Sequence, residues 1–368
     1  MAAFGPEWGR IHQEAPAGVC SPLLALFSQL YGLGVRFRQL AYKRGLFKQK
    51  RLPGFVVSIG NLTAGGTGKT PAVVMLGKWA LEQGYHVAIL SRGYGGQYTT
   101  EVLEVSDGER IKADPRESGD EPYLLAKELY GIPILISKKR FFAGSFAHRM
   151  FGTEFFILDD GFQHLPLKRD LDLVLLDAIR PFGNGHLLPW GPLREPVDQL
   201  VRADAAIVTR FGTQGSRGGA LDFLKREFPA IPAFCADHVP DRVVFPHLNE
   251  AHEPGFLRGK RVLAFAGIAQ PEEFRDTLVR VGADIAYFKG FRDHYRFKRD
   301  EIQALIQMKD ELGAQYLITT EKDWVRIPPE ASAYADMAYL RINFILVSGQ
   351  DDFFKMVNSA FLDYRRTI

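Results

Sequence analysis

The chain has 368 residues, of which 46% are hydrophobic and 24% charged, a balance typical of a globular protein long enough for two domains. Its net charge of +3 is too small to indicate nucleic-acid binding. The two cysteines, Cys20 and Cys235, lack metal-ligand spacing and are too few for a disulfide framework. Because Glu7 and Glu14 come early and no basic start is present, we expect no cleavable signal peptide. A reducing cytoplasm is therefore the expected compartment.

The first 50 residues combine an apolar stretch with a basic one. No charged residue occurs between positions 15 and 35, although Gly and Pro interrupt this stretch near both ends. A spanning helix needs roughly 20 predominantly apolar residues. A run of basic residues without any acid follows: Arg36, Arg38, Lys43, Arg44, Lys48, Lys50 and Arg51. The pattern predicts a helix that lies in a membrane interface rather than crossing it. The alternative is a buried helix followed by a solvated basic loop.

A glycine-rich phosphate loop is predicted directly after the first apolar strand. The strand covers residues 54–60, and a helix with Pro71 in its first turn is expected over residues 71–83. Main-chain N–H groups of such a loop point at phosphate oxygens, and the helix N-terminus adds a favourable dipole. Lys69 is expected to contact the β- and γ-phosphates of ATP, and Thr70 to contact Mg²⁺. The predicted nucleotide-binding residues are Thr63, Ala64, Gly65, Gly66, Thr67, Gly68, Lys69 and Thr70. The alternative is a glycine-rich turn without a ligand.

One position of this loop departs from the usual pattern. The motif normally begins with Gly six residues before the lysine, and this chain has Thr63 there. A second core strand over residues 85–90 ends in another glycine-rich turn, which carries Arg92. Such turns belong at the ligand-facing edge of a parallel sheet. Arg92 is therefore a candidate phosphate contact, with an ordinary surface turn as the alternative.

Acidic residues mark two further candidate positions. Asp159 and Asp160 end an apolar strand, where P-loop enzymes hold Mg²⁺, and a helix-capping pair is the alternative. Asp120 stands before a helical run over residues 123–130 and is either an N-cap or the group that receives a proton from an acceptor hydroxyl. Position alone does not choose between these two roles. His294 follows Asp293 in a polar and aromatic cluster, for which a surface loop is the safer interpretation.

Taken together, these segments resemble the tetraacyldisaccharide 4′-kinase family of lipid A synthesis. The matching segments follow the family's order over nearly the whole chain: the N-terminal apolar and basic segment, Gly65–Pro71, Ser91–Tyr94, Gly119–Pro122, Asp159–His164, Leu188–Pro196, Asp293–His294 and Thr320–Asp323. The family also tends to carry a hydroxyl residue where Thr63 stands.

The resemblance implies an activity and roles for the site residues. It implies ATP- and Mg²⁺-dependent phosphorylation of the 4′-hydroxyl of a lipid A disaccharide 1-phosphate to lipid IV-A, on the cytoplasmic face of the inner membrane. It implies that Asp120 acts as the base and pairs with His294, and that Asp159 and Asp160 are associated with the metal. It also places three residues near substrate or nucleotide: Arg140, Arg194 and Glu195. The expected partners are the lipid A precursor and the membrane surface, without nucleic acid or an obligate protein partner.

The predicted fold class is α/β, with a mostly parallel sheet of the P-loop NTPase type flanked by helices, a second smaller α/β domain and an N-terminal membrane-associated helix. The predicted parts are the N-terminal segment 1–50, the nucleotide-binding domain 51–230, an extended connection 231–258 and the C-terminal domain 259–368. In the last of these, strands are expected over residues 261–269 and 316–320.

Two other functions are compatible with a phosphate loop. A P-loop GTPase or metallochaperone-type switch needs a guanine-reading Asn-Lys-x-Asp motif, but Lys322 and Asp323 are directly adjacent, which is the wrong spacing. A membrane-bound ATP-binding scaffold would bind nucleotide without transferring phosphate. The Asp120 and His294 clusters favour an enzyme.

Overall fold

The structure, a computed structural model, describes residues 21–212, 219–328, 330 and 334–367. The first 20 residues of the predicted N-terminal segment lie outside the described residues. The chain forms two compact units. Unit 1 takes the chain up to Asp237 together with the segment from Phe344 onward, and unit 2 is His238–Asn343.

The helices and strands are numbered in chain order. The strands are β1 (Phe55–Asn61), β2 (Val87–Ser91), β3 (Leu103–Ser106), β4 (Ile134–Ile136), β5 (Phe155–Asp159), β6 (Leu171–Asp177), β7 (Ala205–Thr209), β8 (Ala233–Phe245), β9 (Glu250–His252), β10 (Arg261–Ala266), β11 (Asp284–Gly290), β12 (Tyr316–Thr320) and β13 (Met337–Ser348). The α-helices are α1 (Ser21–Lys43), α2 (Lys69–Glu82), α3 (Pro115–Ser118), α4 (Asp120–Glu128), α5 (Arg140–Phe151), α6 (Gly219–Glu227), α7 (Pro271–Arg280), α8 (Arg299–Glu311), α9 (Glu321–Trp324) and α10 (Gln350–Thr367).

Unit 1 is built on one mostly parallel sheet, which confirms the predicted α/β class. Its strand order is β8-β7-β6-β1-β5-β2-β4-β3, in which β3 pairs antiparallel with β4 and the other neighbours pair parallel. The central strands β1, β5 and β6 are buried along their whole length, as expected for a parallel sheet covered on both faces. Because β5 lies between β1 and β2, the carboxyl ends of these three strands are neighbours.

The C-terminal helix α10 belongs to unit 1, whereas the sequence places it in the smaller domain 259–368. Phe353, Val357 and Phe361 recur at four-residue spacing and are completely buried. The ring of Phe361 packs 5.6 Å from that of Phe55 in β1 and 5.3 Å from that of Phe155 in β5. This apolar stripe packs on the sheet of unit 1. The local sequence predicts an amphipathic helix but does not indicate which sheet the helix packs on.

In unit 2, parallel strands pair in the order β11-β10-β12-β13. Alternate residues of β10 enter cores on opposite faces, Val262 and Ala264 on one face and Leu263 and Phe265 on the other. The second α/β unit agrees with the predicted fold class, and the bounds of the extended connection 231–258 stay a prediction. Within these residues, strand β8 covers Ala233–Phe245 and its end pairs antiparallel with β9.

Helix α1 presents different sides to the protein and to solvent. On the inner side, Ser28 and Ala41 are buried. Exposed large apolar residues occupy the outer side and the following turn: Leu23, Leu26, Phe27, Leu30, Leu33, Phe37, Leu40, Leu46 and Phe47. Within the part of the chain that the structure describes, no helix has the length and hydrophobicity needed to cross a bilayer.

Candidate active site

The predicted phosphate loop lies between β1 and α2, at the carboxyl edge of the unit 1 sheet. Gly68 caps α2 in the left-handed conformation, with a φ of 84° that side-chain-bearing residues rarely adopt. The start of the loop is tied to a distant segment, since the N–H of Ala64 donates to the carbonyl of Pro192 at 2.7 Å and Thr63 forms an antiparallel bridge with Leu193. The loop therefore has the strand–loop–helix context that phosphate binding requires.

Lys69 is the first residue of α2, its side chain is 13% exposed, and its ammonium group is held by two oxygen atoms. Its Nζ lies 3.2 Å from Oδ1 of Asn61 and 3.7 Å from Oδ1 of Asp160. Burial lowers the pKa of Lys69, and the negative charge of Asp160 acts in the opposite direction. The ammonium group is thus placed at the loop by a carboxylate and an amide oxygen.

Asp160 connects Lys69 to Arg194. Nη1 of Arg194 donates to both carboxylate oxygens of Asp160, at 2.9 and 2.8 Å. The same Nη1 lies 3.4 Å from Oε1 of Gln163, whose Nε2 donates to the carbonyl of Asn61. Burial by itself would raise the pKa of Asp160, but the charges of Lys69 and Arg194 outweigh it and hold this pKa at about 2. Asp160 is therefore ionised at any physiological pH.

The neighbouring Asp159 has the opposite electrostatic environment. Its side chain is buried at the end of β5, and Oδ2 accepts a hydrogen bond from Oγ of Ser91 at 2.9 Å. Burial, followed by the negative charges of Glu121 and Asp160, raises the pKa of Asp159 to about 6. Two adjacent carboxyl groups at one strand end thus differ in their affinity for a proton, because only one of them is paired with cations.

The residues present fit a Mg²⁺ ion that arrives with a nucleotide. Among the described residues, no group of three or more His, Cys, Asp and Glu side chains is arranged to hold a metal by itself. Mg²⁺ usually takes one or two carboxylates and completes its octahedron with phosphate oxygens and water. The buried hydroxyl of Thr67 also lacks a hydrogen-bond partner in the described part of the chain. A ligand oxygen at the loop would satisfy this group.

Two further arginines lie around the acidic pair. Arg140 is buried at the first position of α5, and its Nε has no partner among the described groups. Burial lowers the pKa of Arg140, while the charges of Asp160 and Asp159 raise it. Arg92 is exposed in the turn after β2, and its charge also acts on Arg140. Both predicted arginines thus belong to unit 1 and to this edge of its sheet.

Asp120 is the first residue of α4 and is half-buried. The preceding Gly119 packs so closely on the turn after β2 that an added Cβ would lie 2.5 Å from the carbonyl oxygen of Tyr94. This contact brings the start of α4 to the turn that carries Arg92. The charge of the next residue, Glu121, acts on both Lys69 and Asp159. Asp120 therefore begins the helix whose next residue acts on Lys69 and Asp159, and its role as a base stays a prediction.

Arg194 and Glu195 are neighbours in sequence but have different partners. Arg194 contacts Asp160, whereas Glu195 is buried and forms an ion pair with Arg202. The guanidinium group of Arg202 lies 4.2 Å from the centroid of the Phe162 ring. Burial raises the pKa of Glu195, and the charge of Arg202 lowers it. Arg194 thus belongs to the group of charges around Asp160, whereas Glu195 holds Arg202.

Helix α1 contacts the same loop segments from outside the sheet. Tyr31 donates a hydrogen bond to the carbonyl of Arg194 at 2.9 Å, and Arg38 donates to the carbonyl of Gln163 at 2.9 Å. Ser28 donates to the carbonyl of Leu187 at 2.8 Å. The predicted membrane helix is consequently anchored to the segment that carries Arg194.

His294 belongs to unit 2, where Asp293 and Arg326 are its neighbours. Its predicted pairing with Asp120 of unit 1 stays a prediction.

Sequence reasoning missed three residues that hold the site. Asn61 and Gln163 fasten Lys69 and Arg194, and Arg210 donates to the carbonyl of Gly66 at 2.6 Å while it is paired with Asp177. Asn61 and Arg210 are polar residues at or just after the ends of apolar strands, which is a signal that could have identified them. Gln163 carries no comparable local signal, because its role depends on a bend of the chain after Asp160, which has a positive φ of 52°.

Replacing Asp159 by Asn is expected to stabilise the ligand-free protein at neutral pH. A pKa of about 6 in the folded protein against about 4 in the unfolded chain corresponds to about 3 kcal/mol, present at low pH and lost as pH rises through 6. The Asp159→Asn variant does not suffer this loss. Its advantage in free energy of unfolding should be absent near pH 4 and largest above about pH 6.5.

Denaturant unfolding of the two proteins at several pH values measures this difference. Asp222→Asn, which changes an exposed acid in the first turn of α6, serves as the control and should show no such pH dependence. An advantage of equal size at acidic and neutral pH would contradict the electrostatic explanation.

Comparison with known proteins agrees with this geometry. A family model described as tetraacyldisaccharide-1-P 4′-kinase matches residues 20–361. The tetraacyldisaccharide 4′-kinase of Syntrophus aciditrophicus is 42% identical over 331 residues, which are 87% of this chain and 88% of the relative. The enzyme of the same name from Anaeromyxobacter sp. is 39% identical over 356 residues, which are 96% of this chain and 95% of the relative.

A solved structure is similar over almost the same range. The crystal structure of LpxK from Aquifex aeolicus in complex with ATP has a TM-score of 0.74 and 32% sequence identity, and the match covers 91% of this chain and 97% of that one. The family model and the relatives each match most of this chain, so the resemblance inferred from sequence is confirmed: the chain belongs to the tetraacyldisaccharide 4′-kinase family.

Proposed function

We propose that the protein transfers the γ-phosphate of ATP to the 4′-hydroxyl of a tetraacyldisaccharide 1-phosphate, a lipid A precursor, to form lipid IV-A. The observation that carries this proposal is Lys69 at the start of α2, held by Asn61 and Asp160 within a phosphate loop. Membership of a kinase family supplies the reaction class. Family membership also weighs against the GTPase-type switch and the scaffold without enzymatic activity.

The electrostatics of the site favour a polyphosphate. Lys69, Arg194 and Arg140 place three positive side chains near the α2 N-terminus, which adds the partial positive charge of its N–H groups. Charge of this sign stabilises the transferring phosphoryl group, where negative charge is spread over three oxygens. Because Asp160 already holds Lys69 and Arg194, little reorganisation is needed when phosphate arrives.

We place Mg²⁺ between the nucleotide phosphates and the acidic edge of the sheet. Thr70, Asp159 and Asp160 are the residues that would hold it, and the ion would neutralise charge on the β- and γ-phosphates. Asp159 must be ionised for this role, which its pKa of about 6 permits at neutral pH. Ser91 orients this carboxylate through its hydrogen bond to Oδ2.

Asp120 is the proposed general base, with His294 as its partner. Its carboxylate would accept the proton of the 4′-hydroxyl while the hydroxyl oxygen forms a bond to the γ-phosphorus. The bond between that phosphorus and the bridging oxygen breaks, and ADP leaves with the electron pair. The place of Asp120 at the start of α4, beside the turn that carries Arg92, supports this role.

We infer that α1 holds the enzyme on the cytoplasmic face of the inner membrane. Its outer side exposes Leu26, Leu30, Leu33 and Phe37, which suit the acyl region of a lipid surface. Basic residues at the end of the helix would contact anionic headgroups, at about 1 kcal/mol each. The inner side of α1 contacts the Arg194 segment, so the acylated substrate would reach the site from the membrane.

Lys69→Ala is expected to lower phosphate transfer by at least about 100-fold, because it removes the charge that stabilises the terminal phosphates. The assay incubates the protein with γ-labelled ATP, Mg²⁺ and the tetraacylated disaccharide 1-phosphate, and locates the label by mild hydrolysis. Wild-type protein should place it on the 4′-oxygen. Lys78→Ala, on the exposed side of the same helix, should retain activity. Label at any other position, or none, would contradict the proposed function.

Asp120→Ala is expected to lower kcat by about 10² to 10⁴-fold with little change in the affinity for ATP. The matched control is Asp222→Ala, which also removes an acid from the first turn of a helix. Steady-state kinetics and equilibrium binding of a non-hydrolysable ATP analogue separate the two effects. A near-normal kcat for Asp120→Ala would exclude this residue as the base.

The membrane role predicts that the double variant Leu30→Asp/Leu33→Asp loses binding to anionic lipid vesicles, since charge on the outer side of α1 cannot enter the acyl region. Lys43→Ala/Arg44→Ala should weaken binding by about 30-fold, from two charges at about 1 kcal/mol each. Val279→Asp, at an exposed apolar position of α7, is the control. Vesicle flotation measures all four proteins, and unchanged binding of the α1 variants would contradict the role.

A further inference from the structure

His294 lies exposed in a turn of unit 2, and the aromatic residues on either side of it pack against one another. The rings of Phe291 and Tyr295 lie 4.8 Å apart, and Phe291 and Phe297 lie 5.1 Å apart. The hydroxyl of Tyr295 also donates to Glu301 at 2.5 Å. His294 has a φ of 57°, a conformation that the surrounding contacts must hold for a residue with a side chain. The aromatic cluster predicted from the sequence thus packs around the turn that carries His294.

Arg326 contacts the imidazole from inside the unit. Its Nη2 lies 3.0 Å from Nδ1 of His294, and its Nη1 donates to the carbonyl of Gly267 at 2.8 Å. The side chain of Arg326 is only 1% exposed. An arginine that is withdrawn from water in this way needs a counter-charge.

Asp323 supplies that charge and is itself fixed in place. Its Oδ1 accepts from Nη1 of Arg326 at 3.0 Å, and its Oδ2 accepts from the N–H of Gly267 at 2.9 Å and the hydroxyl of Thr320 at 2.7 Å. Its side chain is fully buried. Burial raises the pKa of Asp323, and the charge of Arg326 acts against this. Asp323 therefore orients the guanidinium group of Arg326 toward the ring of His294.

The chemistry of the two side chains decides which ring nitrogen carries the proton. A guanidinium group has only donors and stays protonated in proteins. A nitrogen that faces such a group at 3.0 Å must present its lone pair. In a neutral imidazole with an accepting Nδ1, the proton is on Nε2.

We propose that Arg326, oriented by Asp323, fixes His294 as the neutral tautomer with its proton on Nε2. Arg326 and Asp323 are therefore positioning residues, and His294 acts as a hydrogen-bond donor through Nε2. The inference rests on the proposed function for its link to catalysis, because a donor is what a carboxylate base such as Asp120 needs beside it.

The tautomer can be measured without substrate. The full-length protein, labelled with ¹⁵N-histidine and held in detergent, gives two-bond ¹H–¹⁵N correlations that distinguish protonated from unprotonated ring nitrogens. The chain has nine histidines, and the signals missing from His294→Gln identify this one. We expect protonated Nε2 and unprotonated Nδ1 in the wild type at neutral pH. A ring protonated on Nδ1, or on both nitrogens, would overturn the inference.

Variants then test the cause. Arg326→Met removes the donor at similar length and should produce a mixture of tautomers, with kcat lowered at least about tenfold and KM for ATP unchanged. Arg326→Lys keeps a charged group that only donates and should retain the wild-type tautomer. Because Arg326→Met leaves Asp323 without its counter-charge, Asp323→Asn/Arg326→Met removes both charges together and should also give mixed tautomers.

The control is Arg275→Met, which breaks an exposed ion pair of the same i,i+3 spacing within unit 2. It should change neither the tautomer nor kcat. A wild-type tautomer in both Arg326→Met and the double variant would overturn the inference. A normal kcat for His294→Gln, by contrast, would count against the proposed role of His294 in the reaction and leave the tautomer result standing, so the two failures are distinguishable.

Discussion

An ammonium group withdrawn from water is the constraint on which the site of unit 1 depends. Burying a charge costs several kcal/mol unless opposite charge and hydrogen bonds replace the lost water. Lys69 meets this requirement through Asn61 at the end of β1 and Asp160 just after β5. These two strands are hydrogen-bonded neighbours in parallel register, so their ends bring both oxygens to the lysine. Asp160 is occupied by cations, which leaves Asp159 as the carboxyl group whose protonation varies near neutral pH.

Helix α1 connects the proposed membrane surface to the site, because its two sides contact different surroundings. Its outer side is apolar, and its inner side donates hydrogen bonds to the carbonyl groups of Gln163 and Arg194. The side chains of these two residues in turn hold Asp160 and the end of β1. A single layer of loop therefore separates the helix from the phosphate site. An enzyme that phosphorylates a lipid-linked sugar needs such a short path between the acyl region and the nucleotide.

The local elements of the protein could be predicted from the sequence, because each depends on neighbours within a few residues. The phosphate loop was found from its glycines, Lys69 and the flanking strand and helix, and the P-loop α/β class is confirmed. Strand β12 occurs at the predicted residues. The metal role of Asp159, which is buried at the end of β5, and the base role of Asp120, which is half-buried at the start of α4, remain predictions.

The family, the phosphate loop and the apolar strands follow from the order of residues in the chain, since glycine content, strand hydrophobicity and motif order are properties of short segments. Which polar groups meet depends on the folded arrangement of those segments. Arg194 contacts Asp160 across 34 positions of the chain, and Arg326 reaches His294 across 32. Helix α10 packs on the unit 1 sheet through Phe361 and Phe55, which are 306 positions apart. Such pairings depend on strand order and on chain bends after the strands, and no local pattern of residues encodes either of them.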